Sequence, residues 1–342
     1  MRCEAWPDFL PGGMRASSVY FGGGTPSLWK PSCVARVLEA LQKKLGFEED
    51  IEITLEANPQ AAQAAKLREF RAAGANRLSL GIQSLDDGML RLLGRKHSAK
   101  EAKEAALTAR EAGFENLSLD FIYAMPGQTL QQARADALEA VALQPSHLSL
   151  YALTLDAEAL SQPVPMAKQR PQLPSEALSI AMRADMARTA QEAGLCRYEL
   201  SNYALAGKAS VHNLSYWKGG DYMGLGAGAV GAFMRGGEGQ RWFNHRLWED
   251  YAAALASGAL PEAEREFLSP QTLRVERALL GLRLVEGVSP EVLHAASGKP
   301  AQEVEALVRS WEAEGLAVYA SGRWRLSEKG MDLHSALCLQ LL

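Results

Sequence analysis

The first candidate for ligand chemistry in this 342-residue sequence is a run of glycines in the phrase FGGGTPSLW, residues 21–29. Because glycine has no Cβ, the backbone groups of Gly23 and Gly24 can approach a ligand closely. Thr25 adds a hydroxyl group, and Pro26 fixes the direction in which the chain leaves. A glycine run can also be a flexible turn, but between a strand and a helix it indicates a binding loop.

Polar side chains follow several apolar runs at corresponding points of the sequence. Glu56 begins the phrase EANP after one run, and Gln83 and Asp120 hold equivalent positions after two others. A buried carboxylate needs a partner, so Glu56 could pair with a ligand ammonium group, with ribose hydroxyls or with an arginine of the fold. Arg95 lies 12 residues after Gln83 and could bind a ligand carboxylate bidentately, although a lone loop arginine is usually a surface residue.

An imidazole and two aromatic rings come together in the phrase HNLSYW. Tyr216 and Trp217 follow His212 by four and five positions, so the three rings could form an amphipathic wall. Such a histidine could coordinate a haem iron. A lone histidine is more often a structural residue, and both interpretations stay open on the residues alone. The sequence has no Ser-His-Asp order, no H-E-x-x-H and no G-x-x-x-x-G-K-[ST].

The four cysteines are far apart in the sequence: Cys3, Cys33, Cys196 and Cys338. Without a C-x-x-C pair, each is interpreted as a small buried or surface residue. The first residues contain no apolar stretch of the kind found in secretory signals, which predicts a cytoplasmic protein with reduced thiols.

Composition and charge exclude several classes. With 47% hydrophobic and 22% charged residues, the chain has ordinary globular composition and is not a disordered chain. The formal net charge of -4 provides no bulk basic field for nucleic acid or anionic lipid. No apolar run approaches the roughly 18–20 residues that a membrane helix needs.

A repeated phrase indicates how the polar residues are positioned. Residues 71–80 read RAAGANRLSL, residues 110–119 read REAGFENLSL, and residues 191–200 read QEAGLCRYEL. Each phrase is typical of a helix end, a glycine stop and the start of a strand. The 39 residues that separate Gly74 from Gly113 fit alternating strands and helices, and hence parallel strands with crossover helices.

Five strands are predicted at near-continuous apolar runs, as expected for parallel strands buried on both faces. They span residues 18–21, 51–56, 78–83, 117–124 and 148–155. A doubly wound sheet and a (β/α) barrel both fit this order. Polar and turn residues after almost every strand favour a barrel or partial barrel.

The C-terminal residues predict three helices and a small hairpin. The helices span residues 270–286, 290–296 and 301–314, and the hairpin strands span 317–319 and 323–326. This order resembles a winged-helix module. Because the segment has no basic cluster, a helical accessory domain without nucleic-acid function is favoured.

Seven phrases, in their order along the chain, resemble one family. They are YFGGGTPSLW, EITLEANP, RLSLGIQSLDDGMLRLLGRKHS, LSLDFIYAMPGQT, HLSLYALTLD, YELSNYA and VHNLSYW. The chain is similar to the radical S-adenosylmethionine (SAM) proteins related to oxygen-independent coproporphyrinogen III oxidase, and especially to the haem chaperones among them. The resemblance implies an α/β fold: a partial, TIM-like (β/α)6 barrel with a C-terminal helical, winged-helix-like domain.

The resemblance also implies two sites. The methionine end of SAM would be held by Gly23, Gly24 and Thr25, and Thr154 corresponds to a backbone position near the adenine. His212 is implied to bind haem. Contacts to the carboxylate, ribose or amine of SAM would come from Glu56, Gln83, Arg95 and Asp120.

Two departures from the family pattern change these expectations. The family places C-x-x-x-C-x-x-C, which holds a [4Fe–4S] cluster, upstream of the GGGTP strand, whereas the 17 residues before Ser18 contain only Cys3. Val230 stands where related sequences often have histidine. We therefore expect no cluster on this chain and no first strand–helix unit, either because the sequence is truncated or because the protein is a degenerate member.

The expected organisation is a remnant segment over residues 1–17, a partial barrel over 18–225, a connecting segment over 226–268 and a helical domain over 269–342. The implied function is a haem chaperone that binds haem or a related porphyrin and transfers haem to an apo-haemoprotein. The implied acceptor belongs to the respiratory chain, with peripheral membrane contact. Two alternatives stay open: an oxygen-independent coproporphyrinogen III oxidase that forms protoporphyrinogen IX, and a non-catalytic binding protein.

Overall fold

The computed structural model describes residues 14–155, 173–235 and 237–342. They divide into two compact units, one over residues 16–210 and the other over 211–342 together with residues 14 and 15. Within those ranges, none of the helices combines the length and the apolar character that crossing a membrane requires.

The unit over residues 16–210 is built on one seven-stranded sheet. Its strands are β1 (Ala16–Phe21), β2 (Phe47–Ala57), β3 (Arg77–Gln83), β4 (Asn116–Tyr123), β5 (His147–Ala152), β6 (Cys196–Arg197) and β7 (Asn202–Ala204). The order across the sheet is β1–β2–β3–β4–β5–β7–β6. The first four pairings are parallel and the last two are antiparallel. Parallel strands in chain order, joined by helices, confirm the predicted α/β partial barrel.

Six helices of the described residues accompany these strands. They are α1 (Pro31–Leu45), α2 (Ala64–Ala72), α3 (Asp87–Leu92), α4 (Ala99–Glu111), α5 (Leu130–Ala142) and α6 (Glu176–Glu192). Short 3₁₀ turns follow β1 and β2. Capping boxes start α4 and α5: the hydroxyl groups of Ser98 and Thr129 accept from the backbone of Glu101 and Gln132, whose side chains accept from the backbone N–H groups of the two caps.

The repeated phrase ends two helices and begins two parallel strands, as predicted. Gly74 and Gly113 take φ angles of +114° and +91° directly after α2 and α4, and β3 and β4 follow. The third copy behaves differently, because β6 after Gly194 has only two residues and pairs antiparallel with β7. The carboxylate of Glu199 accepts a hydrogen bond from Asn202 Nδ2 (2.6 Å) and stabilises this reversal of the chain. The prediction of a parallel strand at this copy is therefore wrong.

The two faces of the parallel strands differ in chemistry. Leu78 and Leu80 of β3 belong to the apolar core, whereas Ser79 between them is equally buried and points to the other face. Ser118 of β4 and His147 of β5 continue this buried polar face, since Ser118 lies beside Ser79 in register and His147 lies beside Ser118. Both faces are buried, as predicted, but only one of them is apolar.

The unit over residues 211–342 combines a three-stranded antiparallel sheet with helices and a hairpin. The strands are β8 (Val230–Arg235), β9 (Glu238–Asn244), β10 (Glu262–Leu268), β11 (Ala317–Ala320) and β12 (Arg323–Leu326). The three-stranded sheet has the order β10–β9–β8. The helices are α7 (Val211–Trp217), α8 (Trp248–Ala256), α9 (Pro270–Gly281), α10 (Pro290–Ser297), α11 (Ala301–Ala313), α12 (Glu328–Asp332) and α13 (His334–Leu341). Helices α9 to α11 followed by the β11–β12 hairpin confirm the predicted C-terminal helical module.

Two details of this unit differ from the sequence patterns. Residues 226–268, which look like a connection, contain the three-stranded sheet and α8. The glycine-rich character of that segment has a packing reason: a Cβ on Gly231 would overlap the indole ring of Trp242. Helix α9 ends at Gly281, earlier than predicted. A Cβ on Gly281 would overlap Val288, which pairs with Trp324.

A buried carboxyl group anchors the segment that leaves β3. Asp136 of α5 is 3% exposed and accepts hydrogen bonds from Ser84 Oγ (2.8 Å) and the Leu85 N–H (2.7 Å). Burial raises the pKa of Asp136 to about 6, in spite of these two donors. The segment after β3 is thus tied to α5 through one side chain.

Replacing Asp136 by alanine should lower the free energy of unfolding by about 1–3 kcal/mol, because the Leu85 N–H loses its acceptor inside the protein. Asp136→Asn is the matched control: it keeps an acceptor oxygen and should stay within about 1 kcal/mol of the wild type at neutral pH. Urea unfolding measures both values. Equal losses in the two variants would contradict the anchoring role.

The same carboxyl group predicts a pH dependence. Because the folded-state pKa lies near 6 rather than at the ordinary 3.8, the folded chain binds this proton more tightly than the unfolded chain does. The wild-type free energy of unfolding should therefore receive a contribution that falls as pH rises from about 4 to about 6. Urea unfolding across this interval should show that contribution in the wild type and not in Asp136→Asn.

Candidate ligand site at the strand ends

A cavity of about 220 Å³ lies at the carboxyl ends of β1 to β4. It is lined by Gly24, Thr25, Pro26, Glu56, Ala57, Asn58, Ser79, Gly81, Gln83, Arg95 and Asp120. Because parallel strands end at the same edge of a sheet, side chains from distant parts of the sequence meet there. The structure thus brings together most of the residues that the sequence predicts for a SAM site.

Three predicted residues lie outside this lining. Gly23 does not line the cavity, but its N–H donates a hydrogen bond to the carboxylate of Glu56. Thr154 follows β5, is exposed and is not among the lining residues. His212 belongs to the unit over residues 211–342 and is described with it below.

The glycine run allows the loop to fold against Glu56. Gly23 has a φ of +87°, which side-chain-bearing residues rarely adopt. A Cβ on Gly22 would lie 2.6 Å from Tyr20 Cε1 and 3.3 Å from Glu56 Oε1. Both glycines are therefore needed for the close packing of this loop on the two side chains.

Glu56 is held by a tyrosine that the sequence analysis missed. The Tyr20 hydroxyl donates to Glu56 Oε1 at 2.6 Å, and no arginine of the described ranges pairs with Glu56. Burial raises the pKa of Glu56, and the negative charge of Asp120 adds to this, while the bonds from Tyr20 and Gly23 lower it in part. The only signal for Tyr20 in the sequence is its position, one residue before the strand ends.

The carboxylate of Asp120 accepts hydrogen bonds from two serine hydroxyl groups. Ser79 Oγ donates to Asp120 Oδ2 at 2.6 Å, and Ser118 Oγ donates to Asp120 Oδ1 at 3.1 Å. Both serines are buried, whereas Asp120 is half-buried and lines the cavity. The two serine hydroxyl groups thus fix the carboxylate of Asp120, and its remaining lone pairs can accept hydrogen bonds from a ligand.

Arg95 brings a positive charge to the same cavity. Its side chain is half-buried, burial lowers its pKa, and no described residue pairs with its guanidinium group. A cation that lines a cavity without a protein partner is suited to a ligand carboxylate.

Gln83 and Asn58 complete the polar lining. Gln83 has a φ of +70°, and a Cβ on Gly81 would lie 2.8 Å from its Nε2, so Gly81 leaves room for this side chain. Asn58 Nδ2 donates to Thr25 Oγ1 at 3.3 Å and links the loops after β1 and β2. With one cation, two carboxylates and two amides, the cavity suits a zwitterion that also carries hydrogen-bond donors.

His212, in the unit over residues 211–342, is the first member of a row of aromatic rings. The His212 ring lies edge-on to Tyr216 at 4.8 Å, and Tyr216 lies edge-on to Tyr222 at 4.7 Å between ring centroids. Trp217 points elsewhere and packs under the guanidinium group of Arg283 at 4.1 Å. Of the two predicted aromatic neighbours only Tyr216 contacts the His212 ring, and the sequence analysis missed Tyr222.

The three cysteines of the described ranges lie on separate elements and do not form a metal site. Cys33 lies in α1, Cys196 in β6 and Cys338 in α13, all as free thiols, and Cys3 lies outside the described residues. Within the described ranges, no group of three or more His, Cys, Asp or Glu residues could hold a metal ion. These residues do not fit a [4Fe–4S] cluster.

Two family models match the chain. The Radical SAM superfamily model matches residues 12–139, and the HemN C-terminal domain model matches residues 268–333. The first match contains the glycine loop and the carboxylates of the cavity, and the second contains helices α9 to α11 with the hairpin.

Individual proteins agree with these matches. The mitochondrial radical S-adenosyl methionine domain-containing protein 1 of Mus musculus is 35% identical over 97% of this chain and 77% of its own length. The heme chaperone HemW of Haemophilus influenzae is 40% identical over 63% of this chain, which spans 55% of that relative's length. The structure of coproporphyrinogen III oxidase (HemN) from Escherichia coli superposes with a TM-score of 0.74 and 19% identity, covering 95% of this chain and 77% of that one.

The sequence identity and the matched domains establish the family, and the superposition establishes the fold. The chain therefore belongs to the radical SAM superfamily, among its HemW- and HemN-like proteins.

Proposed function

We propose that this protein is a haem chaperone, which binds haem through His212, binds SAM in the strand-end cavity and passes haem to an apo-haemoprotein. The observation that carries the proposal is the row of rings formed by His212, Tyr216 and Tyr222 in a chain of HemW-like family. An oxidase role for this chain has weaker support, because the likeness to HemN at 19% identity concerns the fold.

The chemistry of the aromatic row suits a porphyrin cargo. Neutral imidazole is a common axial ligand of haem iron, and aromatic rings supply the apolar contact area that a flat macrocycle needs. The far end of the row is fixed, since Arg241 donates to the Tyr222 hydroxyl and holds both oxygens of Glu276 at 2.8 Å. His212 and Tyr216 are only partly buried, so neither ring belongs to the closed core of its unit.

The cavity residues suit the polar groups of SAM. Arg95 would bind the methionine carboxylate, Glu56 the ammonium group, and Asp120 the ribose hydroxyls or the ammonium group. The cavity of about 220 Å³ is smaller than the roughly 300–1,000 Å³ of sites for whole drug-sized ligands, so it suits the polar part of SAM.

The proposed acceptor is an apo-haemoprotein of the respiratory chain, reached by peripheral contact with the membrane. Mixing haem-loaded protein with an apo-haemoprotein and following the visible spectrum tests the transfer step. Formation of the acceptor's own haem spectrum, faster than from free haem, supports a chaperone. Formation of protoporphyrinogen IX from coproporphyrinogen III under anaerobic conditions supports the oxidase instead.

His212→Ala should weaken haem binding by about 10-fold or more, which corresponds to about 1.4 kcal/mol, because the haem iron loses its proposed axial ligand. The measurement is a titration of the Soret band in the full chain. His294→Ala is the matched control, since His294 lies in the same unit but on helix α10, outside the phrase HNLSYW. If both variants bind haem as the wild type does, His212 is not the ligand.

Arg95→Ala should weaken SAM binding by about 10–100-fold, since a charge-assisted hydrogen bond contributes about 1.5–3 kcal/mol. The SAM affinity of Arg95→Lys should lie between those of the wild type and Arg95→Ala, because lysine keeps the charge but cannot bind a carboxylate bidentately. Equilibrium dialysis with labelled SAM measures all three affinities. Arg91→Ala, on the exposed side of α3, is the control and should bind as the wild type does. An unchanged affinity in Arg95→Ala would contradict the assignment.

A further inference from the structure

The polar face of the parallel sheet carries a row of hydrogen bonds that leads away from the cavity. It begins at Asp120, continues through Ser118 of β4 and His147 of β5, and reaches Tyr198. The row connects a cavity residue to the opposite ends of the strands. The proposed binding of SAM uses only its first member.

Each link of this row has the length of a hydrogen bond. Ser118 Oγ lies 3.1 Å from Asp120 Oδ1 and 2.8 Å from His147 Nδ1, and His147 Nε2 lies 2.9 Å from the Tyr198 hydroxyl. The side chains of Ser118 and His147 are fully buried. Both ring nitrogens of His147 are therefore engaged, and water does not compete for them.

The donors and acceptors of this row have one consistent arrangement when Asp120 is ionised. A carboxylate only accepts, so Ser118 must donate its single hydroxyl proton to Asp120. His147 Nδ1 must then carry a proton and donate to Ser118 Oγ. In the neutral ring, Nε2 is left as an acceptor, and the Tyr198 hydroxyl donates to it. The other tautomer would take the Ser118 proton for His147 and leave two lone pairs facing each other at Asp120.

The surroundings of His147 agree with a neutral ring. Burial, together with the positive charge of Arg77, holds the pKa of His147 well below its usual range. Arg77 itself is buried and lies 3.9 Å from Glu52, which also accepts from Ser210 Oγ at 3.1 Å. Glu52 is thus engaged by Arg77 and Ser210, and a protonated His147 would add a second positive charge beside Arg77 without a second carboxylate to balance it.

We propose that His147 is a positioning residue for the ligand at Asp120: its Nδ1–H directs the Ser118 hydroxyl proton onto the carboxylate and so fixes the direction of the acceptor lone pairs in the cavity. The ligand group at Asp120 is an O–H or N–H donor, and its assignment to SAM rests on the proposed function. A carboxylate held by Ser79 and Ser118 on both oxygens needs no reorientation when the ligand arrives, which raises affinity.

The tautomer of His147 is the first test, and it requires no ligand. NMR spectra of the ligand-free full chain with ¹⁵N-labelled histidine distinguish a ring with Nδ1–H from one with Nε2–H and from imidazolium. The signals of His147 are identified by their absence from His147→Asn. We expect neutral His147 with the proton on Nδ1. A proton on Nε2, or an imidazolium at neutral pH, would overturn the proposal.

The second test compares two substitutions of nearly equal shape. Asparagine places an N–H group near the position of Nδ1 and can still donate to Ser118, whereas leucine cannot. In equilibrium dialysis with SAM, His147→Leu should bind about 10-fold more weakly than the wild type, and His147→Asn should recover about 5-fold of that loss. A residue that only fills space would give no advantage to asparagine, so equal affinities of the two variants would overturn the proposal.

Ser118→Ala interrupts the row with a smaller change and keeps the test decisive if His147→Leu folds poorly. It should weaken SAM binding by about 5- to 10-fold. Adding His147→Leu to it should cause no further loss, since both changes break one row of bonds. If the wild type does not bind SAM, the proposed function fails at this cavity, and the tautomer alone decides the role of His147.

Discussion

A carboxylate that is shielded from water needs hydrogen-bond donors from the protein, and this constraint determines how the strand ends are built. Two carboxylates, Glu56 and Asp120, meet at the cavity. Their donors come from different elements of the sheet: Tyr20, Gly23, Ser79 and Ser118. A bond of 2.6 Å tolerates little displacement of either strand, so the parallel order of β1 to β4 and the polar face of the sheet are conditions for the site.

The two carboxylates have different surroundings and suit different ligand groups. Burial raises the pKa of Glu56, so its negative charge is poorly compensated, and a ligand ammonium group would stabilise it. Each oxygen of Asp120 accepts a hydrogen bond from a serine hydroxyl group, so the carboxylate presents acceptors in fixed directions. This arrangement suits uncharged donors such as ribose hydroxyls. Arg95, without a partner among the described residues, offers the complement to a carboxylate. The charge pattern therefore favours an ordered placement of the polar groups of SAM.

The sequence predicts the edge of the sheet at which the site lies, because glycines and polar residues that follow successive parallel strands are typical of a ligand-binding edge. It does not predict the second layer of the site. Tyr20 and Ser118 lie inside strands that read as apolar runs, and His147 lies directly before such a run. Only the strand register shows that Ser118 and His147 touch. The local pattern also gives the wrong direction for β6 and misses the sheet over residues 226–268, where a side-chain hydrogen bond and glycine packing decide the structure.

Stability and binding are connected at Gln83. A residue other than glycine with a φ of +70° costs roughly 1–2 kcal/mol, so neighbouring contacts must hold it. On one side His97 Nε2 donates to the Ile82 carbonyl oxygen at 3.1 Å, and on the other Asp136 accepts from Ser84 and Leu85. These contacts lie outside the cavity, yet they fix the backbone that aims the Gln83 amide into it. A buried carboxyl group on α5 thus contributes to the site through the conformation of one strand end.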